Sequence, residues 1–255
     1  MTNHQRGKLY LVPAPLDFGC EQLAPIQDVL PLQTLQIAAS LGHFICENAK
    51  STRAYLKRVG EQVELKQPVQ ALHITELPRE VHKKGDHTGN FDAKPLLKAA
   101  LDGHNIGLVS EAGMPAIADP GSSVVRAAHD LGVEVIALTG PMSLMLALAS
   151  SGLNGQSFAF VGYLPQDPAE RSQRIKTLES LAFKTGQTQI FIETPYRNTA
   201  LLQALLHTLQ GNTRLAISCG LTLGAAWNKS ATVEKWKQDK PAPPLGLPTV
   251  FCIGR

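Results

Sequence analysis

Short apolar runs alternate with segments of helical spacing along almost the whole chain. Such alternation predicts βαβ units and mostly parallel sheets. Roughly nine or more strands would crowd one sheet, so we predict two α/β domains. Strands are predicted at 8–13, 43–46, 69–74, 106–110, 133–138, 158–162, 189–193, 214–219 and 249–254, and helices at 25–41 (interrupted by Pro31), 49–59, 92–101, 122–131, 143–150, 168–181 and 198–209.

Two loops rich in glycine and proline follow successive predicted strands. Segment 110–121 is SEAGMPAIADPG, and segment 139–143 is TGPMS. Glycine and proline form turns in which backbone can approach a ligand closely, and ligands bind at the carboxyl ends of strands in open α/β sheets. We therefore predict a ligand site here. The prolines at 115 and 120 suggest a domain boundary, which we set between 1–116 and 117–255, with the pocket in the cleft between the domains.

Composition favours a globular cytoplasmic protein. Of the 255 residues, 44% are hydrophobic, and no apolar run reaches the ~18 residues of a membrane span. The first residues lack the apolar stretch of a signal peptide, so we expect no export and no membrane partner. Cys20, Cys46, Cys219 and Cys252 include no close pair, which argues against disulfides and zinc sites.

A mildly basic charge permits nucleic-acid binding without requiring it. The formal net charge is +3. The cations clustered in the first half are either solvated helix and loop faces or an RNA-binding surface. They are Lys50, Arg53, Lys57, Arg58, Arg79, Lys83 and Lys84.

Several common catalytic motifs are missing from the sequence. It contains no Walker motif, no Gly-x-Gly-x-x-Gly fingerprint and no Gly-x-Ser-x-Gly elbow. His73, His82 and His87 are spaced too irregularly for metal ligation, so no metal is expected. Three strand-end loops without a metal or an obvious acid–base pair suggest a reaction that depends on positioning. Methyl transfer from S-adenosylmethionine is such a reaction.

The segment Glu-Thr-Pro-Tyr-Arg at 193–197 ends another predicted strand. A carboxylate at the end of a buried strand needs a partner. Arg197 is the candidate, and the pair serves either a structural role or ligand binding.

In these motifs the chain resembles the tetrapyrrole methylase superfamily of S-adenosylmethionine-dependent methyltransferases. It is most similar to the branch that methylates cytidine 2′-oxygens of small-subunit rRNA. That branch typically has Ser-Asp-Ala-Gly-Thr-Pro followed by Asp-Pro-Gly, where this chain has SEAGMPAIADPG. Further similar segments are TGPMSL at 139–144, GYLP at 162–165, ETPYR at 193–197, and ENAK at 47–50 with Arg53.

The resemblance implies two α/β domains with the methyl donor in the cleft between them, a homodimer, and rRNA or a ribosomal subunit as partner. It also implies that many donor contacts are made by backbone atoms. The residues it implies for donor binding are Pro13, Gly113, Met114, Ile117, Thr139, Gly140, Ser143, Leu144, Glu193 and Thr194.

Departures from the family pattern concern the acceptor side. The Ala-Arg-Glu-Leu-Thr-Lys segment of the ribosomal branch is replaced by ISCGLTL at 217–223. A small-molecule acceptor such as a tetrapyrrole, or a non-catalytic binding protein, therefore stays an alternative. No catalytic residue is assigned. Glu47, Glu111 and Glu193 are candidate general bases by position only, and capping of local amides is the competing role for Glu111.

Overall fold

The chain forms two compact units. The computed structural model describes residues 5–17, 19–84, 86 and 91–255. The first unit contains the chain up to Gly19 and Ala24–Pro141, and the second contains Cys20–Leu23 and Met142–Arg255. The boundary thus falls after position 141 instead of after 116, because the strand at Val135–Ala137 pairs with the first strand of the chain.

The first unit is built on a five-stranded sheet in which every pairing is parallel. The strand order β3-β2-β4-β1-β5 places β1 in contact with both β4 and β5. Their carboxyl ends therefore lie side by side at one edge of the sheet. The strands are β1 (Leu9–Val12), β2 (His43–Cys46), β3 (His73–Glu76), β4 (Ile106–Val109) and β5 (Val135–Ala137).

Helices cover both faces of this sheet. Alternation along β1 sends Val12 into a core with α1, α2 and α3, and Leu9 into a second core with α5 and α6. The interruption predicted at Pro31 is observed, because Pro31 lies between α1 and α2. The helices are α1 (Ile26–Val29), α2 (Leu32–Ser40), α3 (Ala49–Gly60), α4 (Arg79–Lys84), α5 (Lys98–Leu101) and α6 (Ser122–Asp130), with 3-10 turns at Val69–Ala71 and Lys94–Leu97.

The second unit contains a mixed sheet of order β6-β7-β10-β8-β9. Only β6 and β7 pair in parallel, so the expectation of mostly parallel sheets is wrong for this unit. The helical crossovers do keep β6, β7 and β8 in one direction. The final strand β10 then inserts between β7 and β8, antiparallel to both. The strands are β6 (Phe158–Tyr163), β7 (Thr188–Glu193), β8 (Arg214–Cys219), β9 (Trp227–Thr232) and β10 (Thr249–Gly254).

Two apolar cores enclose the second sheet. Phe191, Ile217 and Phe251 face α8, α9 and α10, whereas Ile190 and Val250 face α7. The predicted α/β class is confirmed for both units. The helices are α7 (Ser143–Ser151), α8 (Pro168–Thr185), α9 (Asn198–Thr208) and α10 (Val233–Asp239), with a 3-10 turn at Pro195–Arg197. Within the described ranges, no helix is both long and apolar enough to cross a bilayer.

Candidate functional site at the carboxyl edge of the first sheet

The loops that follow β1 and β4 are joined by a pair of backbone hydrogen bonds. The Ala14 amide donates to the Gly113 carbonyl at 2.9 Å, and the Gly113 amide donates to the Ala14 carbonyl at 3.0 Å. Gly113 has φ +70°, a conformation that glycine adopts without a steric penalty. A Cβ there would also lie 3.1 Å from Cδ2 of Leu16. The two loops therefore form one backbone surface.

The loop after β5 packs against the same surface through Gly140. A Cβ on Gly140 would lie 2.2 Å from Cγ and 2.3 Å from Cβ of Pro13. The space that a side chain would need is filled by the proline ring. Residues Pro13, Gly113 and Gly140, predicted from separate motifs, are thus brought together by one edge of the sheet.

Buried side chains hold the loops after β1 and β5 in place. The Tyr55 hydroxyl donates to the Pro13 carbonyl at 3.1 Å, and the Thr34 hydroxyl donates to the Thr139 carbonyl at 2.8 Å. Burial raises the pKa of the Tyr55 phenol, so it stays a donor. Both hydrogen bonds are accepted by backbone carbonyls, so they fix the backbone of these two loops.

The loop after β1 is also anchored by an ion pair. Arg58 contacts Asp17 through two hydrogen bonds of 3.1 and 2.9 Å and donates to the Ala24 carbonyl at 2.6 Å. A bidentate pair of this kind fixes both partners. Arg58 therefore serves this anchor, whereas Lys50, Arg53 and Lys57 on the same helix are exposed.

The backbone of the 113–121 loop is strained. Ala116 and Ala118 have φ angles of 65° and 63°, in the left-handed region that side chains disfavour. Such residues cost on the order of 1–3 kcal/mol each and cluster at ligand sites and active sites. Ile117 between them is 41% exposed, and Met114 is half-buried. The predicted donor residues of this loop thus lie on a constrained, partly exposed segment.

Asp86 fastens the end of this loop to α6. Its buried carboxylate accepts hydrogen bonds from the Gly121 amide at 2.9 Å, the Ser123 amide at 2.8 Å and the Ser122 hydroxyl at 2.8 Å. Arg126 donates to the Asp86 carbonyl at 2.7 Å. Burial alone would raise the pKa of Asp86, but the hydrogen bonds from Ser123, Ser122 and Gly121 outweigh it and hold the pKa below its usual value.

Replacing Asp86 by alanine is expected to lower the free energy of unfolding by at least about 2 kcal/mol, because buried donors lose their acceptor. Because the pKa is lowered in the folded state, this stabilisation is present above the unfolded pKa of about 3.9 and disappears as pH falls through the folded value. Denaturant titrations between pH 3 and 7 measure both effects.

A control for this variant is Asp92→Ala. Asp92 is exposed and accepts one hydrogen bond, from the Lys94 amide at 3.1 Å. Its removal is expected to cost under about 1 kcal/mol. Equal losses for the two variants would contradict the anchoring role of Asp86.

Three carboxyl groups gather beside the strained loop. The Glu111 amide donates to Glu47 at 3.4 Å, and the Ser51 hydroxyl donates to Glu111 at 3.3 Å. Burial and the neighbouring Glu47 and Glu111 raise the pKa of Asp119 to about 7. Asp119 thus changes protonation state near neutral pH, the property that suits a general base.

Ser110 is a second polar group at this edge that sequence reasoning missed. It follows β4 directly and is 4% exposed. Among the described residues, its hydroxyl finds no hydrogen-bond partner. Buried hydroxyls are normally paired, and a bound water, ion or ligand would supply the missing partner. One feature of the sequence could have pointed to Asp119, Ser110 and Asp86 as site residues: each lies within or near a strand-end loop.

The remaining predicted donor residues belong to the second unit. Ser143 begins α7, and the Leu144 side chain is buried in the core beside it. Glu193 ends β7 and forms an ion pair with Arg197 at 2.8 Å. The Thr194 amide donates to the same Glu193 oxygen at 2.7 Å. Glu193 and Arg197 thus form the ion pair that the structural alternative describes, and ligand binding by this segment stays a prediction.

Metal ligation finds no support in the described part of the chain. No group of three or more histidine, cysteine or acidic side chains there could hold a metal ion. His87, the Lys83 and Lys84 side chains, and the His82 side chain lie outside the described residues.

The protein thus consists of two α/β units. The first unit has an all-parallel sheet with interlocking strand-end loops, and the candidate site lies at the carboxyl edge of this sheet. The second unit has a mixed sheet. The model of the tetrapyrrole (corrin/porphyrin) methylases matches residues 28–225. The chain belongs to this family, which confirms the resemblance.

Relatives in the family carry one recurrent name. Ribosomal RNA small subunit methyltransferase I of Mesorhizobium japonicum is 33% identical over 84% of this chain and 63% of its own length. The protein of the same name from Escherichia coli O157:H7 is 29% identical over 85% of this chain and 65% of its own length. The chain thus spans less than two thirds of the length of these relatives.

Solved structures share the fold. The methyltransferase CobJ has a TM-score of 0.56 at 18% identity, covering 98% of this chain and 94% of its own. Uroporphyrin-III-C-methyltransferase from Thermus thermophilus has a TM-score of 0.52 at 17% identity, with the same coverage.

Proposed function

We propose that the chain is an S-adenosylmethionine-dependent methyltransferase that methylates a ribose 2′-hydroxyl of ribosomal RNA. The observation that carries the proposal is the interlocking of three strand-end loops through Ala14, Gly113, Pro13 and Gly140. Membership of the methylase family and relatives named as rRNA methyltransferases support the activity and the acceptor.

The loop surface fits a methyl donor. The buried Ser110 hydroxyl, which has no partner among the described residues, and the strained loop beside it are features expected of a ligand site. The proposed donor residues of the first unit are Pro13, Gly113, Met114, Ile117, Thr139 and Gly140. Those of the second unit are Ser143, Leu144, Glu193 and Thr194. Leu144 would contribute backbone, because its side chain is buried.

Bound S-adenosylmethionine supplies an activated methyl group, so the chain mainly has to position an acceptor and accept a proton. A ribose hydroxyl loses its proton as its oxygen attacks the methyl carbon. Asp119, with a pKa of about 7, is the proposed acceptor of that proton. Glu47 and Glu111 act on it through their charge. Glu193 is already paired with Arg197 and is no longer proposed as the base.

The proposed RNA-binding surface is one face of α3. Lys50, Arg53 and Lys57 are exposed and recur at helical spacing on the helix that follows β2. Asn48 caps this helix by accepting hydrogen bonds from the amides of residues 50 and 51. Exposed cations on a rigid helix are suited to bind phosphates of an RNA backbone.

Changing Lys50, Arg53 and Lys57 together to glutamine is expected to weaken RNA binding about tenfold and to lower the salt dependence of log affinity by about 2. Fluorescence anisotropy with an rRNA fragment at several salt concentrations measures both quantities. Donor affinity is expected to stay unchanged.

The matched control removes the same charges from α8. Arg174, Lys176 and Lys184 are also exposed, and their replacement by glutamine changes the net charge equally. An equal loss of RNA affinity in both triple variants would show that binding depends on net charge and would contradict a surface on α3.

The activity is tested with methyl-labelled donor and four acceptors: small subunits, large subunits, protein-free rRNA and a tetrapyrrole. A 2′-O-methyl group blocks alkaline cleavage of the adjacent phosphodiester, because the 2′-oxygen is its nucleophile. Label recovered in an alkali-resistant dinucleotide supports the proposal. Label in mononucleotides indicates base methylation, and label only in the tetrapyrrole supports the small-molecule alternative. No label together with no donor binding supports a non-catalytic protein.

We also propose that the protein is a homodimer, as family resemblance implies, and that it is cytoplasmic, since free cysteines fit a reducing compartment. Light scattering during size-exclusion chromatography measures the dimer mass, and a monomer at all concentrations would contradict it.

A further inference from the structure

Three histidines lie together at the opposite, amino-terminal edge of the first sheet. His43 begins β2 and is register-paired with His73, which begins β3. His104 lies just before β4, which pairs with the other side of β2. The ring centroids of His43 and His73 are 4.7 Å apart, and those of His43 and His104 are 4.9 Å apart.

These histidines line a cavity of about 330 Å³. His43 is half-buried, whereas His73, His104 and Lys66 are exposed. Polar groups of Ser40, Gln67 and Asn105 complete the wall, and no carboxylate is among the described residues that line the cavity.

The electrostatic environment of this cavity is cationic. Burial lowers the pKa of His43, and His73 from β3, His104 from the connection before β4 and Lys66 from the connection after α3 lower it further. Each of these neighbours carries or can carry a positive charge. A bound anion would supply the negative charge that the lining of the cavity lacks.

The surroundings of the cavity favour an anion over a metal ion. The His43 and His73 rings are stacked with their planes within 12° of each other, and the exposed Lys66 beside them adds a positive charge that repels a metal ion. No metal-binding group is found among the described residues. Imidazole N–H groups and an ammonium group arranged side by side are donors, and a phosphate oxygen accepts several such hydrogen bonds.

We propose that the cavity between His43, His73, His104 and Lys66 binds a phosphate group, either free phosphate or a phosphate of an RNA backbone. The site is separate from the donor loops, since it lies at the other end of the strands. Its free-phosphate form does not depend on the proposed methyl transfer. Its RNA form rests on that proposed function and would extend the RNA surface beyond α3.

The test is a pH titration of the histidine ring protons by NMR, in chloride and in inorganic phosphate at equal ionic strength. Phosphate is expected to raise the pKa of His43 by about one unit, which corresponds to about tenfold tighter binding to the protonated form. Lys66→Gln is expected to reduce this shift, and His43→Asn to weaken phosphate binding in calorimetry. His129→Asn is the control, because His129 is exposed at the end of α6.

A second arm separates the two sources of phosphate with a short rRNA oligonucleotide, in the absence of S-adenosylmethionine. A pKa shift with inorganic phosphate alone supports a free-phosphate site. A shift with the oligonucleotide that Lys66→Gln reduces and the α3 triple variant leaves intact supports an RNA phosphate. An unchanged pKa of His43 in both arms overturns the proposal, and it does so whether or not the protein methylates RNA.

Discussion

Replacing Gly140 by valine is expected to abolish binding of S-adenosylmethionine and to destabilise the first unit. A Cβ at this position would lie 2.2 Å from Cγ of Pro13, far inside van der Waals contact. The proline ring has no rotamer that moves it away, so one of the two strand-end loops must shift. Overpacking of this kind costs roughly 1–3 kcal/mol. Calorimetry with the donor and thermal unfolding measure the two effects.

Gly155→Val is the matched control. No atom lies within 4 Å of a Cβ built at Gly155, and its φ is not positive. The control is expected to keep both donor affinity and stability. Full donor affinity in Gly140→Val would contradict the proposed site at this edge. The structure also explains why residue 140 is a glycine: the Pro13 ring, not a ligand, occupies the space that a side chain would need.

Local patterns predicted the secondary structure well because their causes are local. Pro31 cannot continue the helix before it, and the break between α1 and α2 lies there. Segments 43–46 and 214–219 coincide with β2 and β8. The strand predicted at 69–74 begins only at His73, after a 3-10 turn, and the helix predicted at 92–101 is a 3-10 turn over its first part. The elements α4 and β9 were not predicted.

The features of the fold that the sequence did not predict depend on pairing between strands that are far apart in the chain. Segment 117–141 joins the first unit because β5 pairs with β1, which lies far away in sequence. The parallel expectation fails in the second sheet because β10 inserts between β7 and β8. Neither pairing leaves a local signal.

Part of the candidate site was predictable for a related reason. Pro13, Gly113 and Gly140 follow three strands, and the carboxyl ends of neighbouring parallel strands meet at one edge. The raised pKa of Asp119 was not predictable, because it depends on burial and on Glu47, which follows β2 directly. A carboxylate in a loop has no sequence pattern that distinguishes a raised pKa from an ordinary one.

Asp119→Asn is expected to lower kcat by about 10²-fold or more while donor affinity is retained, because the proposed proton acceptor is lost. In the unchanged protein, Asp119 has a pKa of about 7 and must be ionised to accept a proton. Activity should therefore rise as pH increases through about 7. Glu111→Gln removes a neighbouring negative charge, so it should move this rise to lower pH. Asp130→Asn, an exposed carboxyl on α6, is the control.

Stability provides an independent measurement of the same group. The folded pKa of Asp119 lies above the unfolded value of about 3.9, so the folded state binds more protons between these values and loses stability as pH rises through them. Asparagine carries no charge and avoids this loss. Asp119→Asn should therefore be more stable than the unchanged protein at pH 8 and similar to it at pH 3. A variant that is less active yet more stable at pH 8 would identify Asp119 as a functional carboxyl held at a cost in stability. Equal stability at pH 8, with full activity, would exclude it as the base.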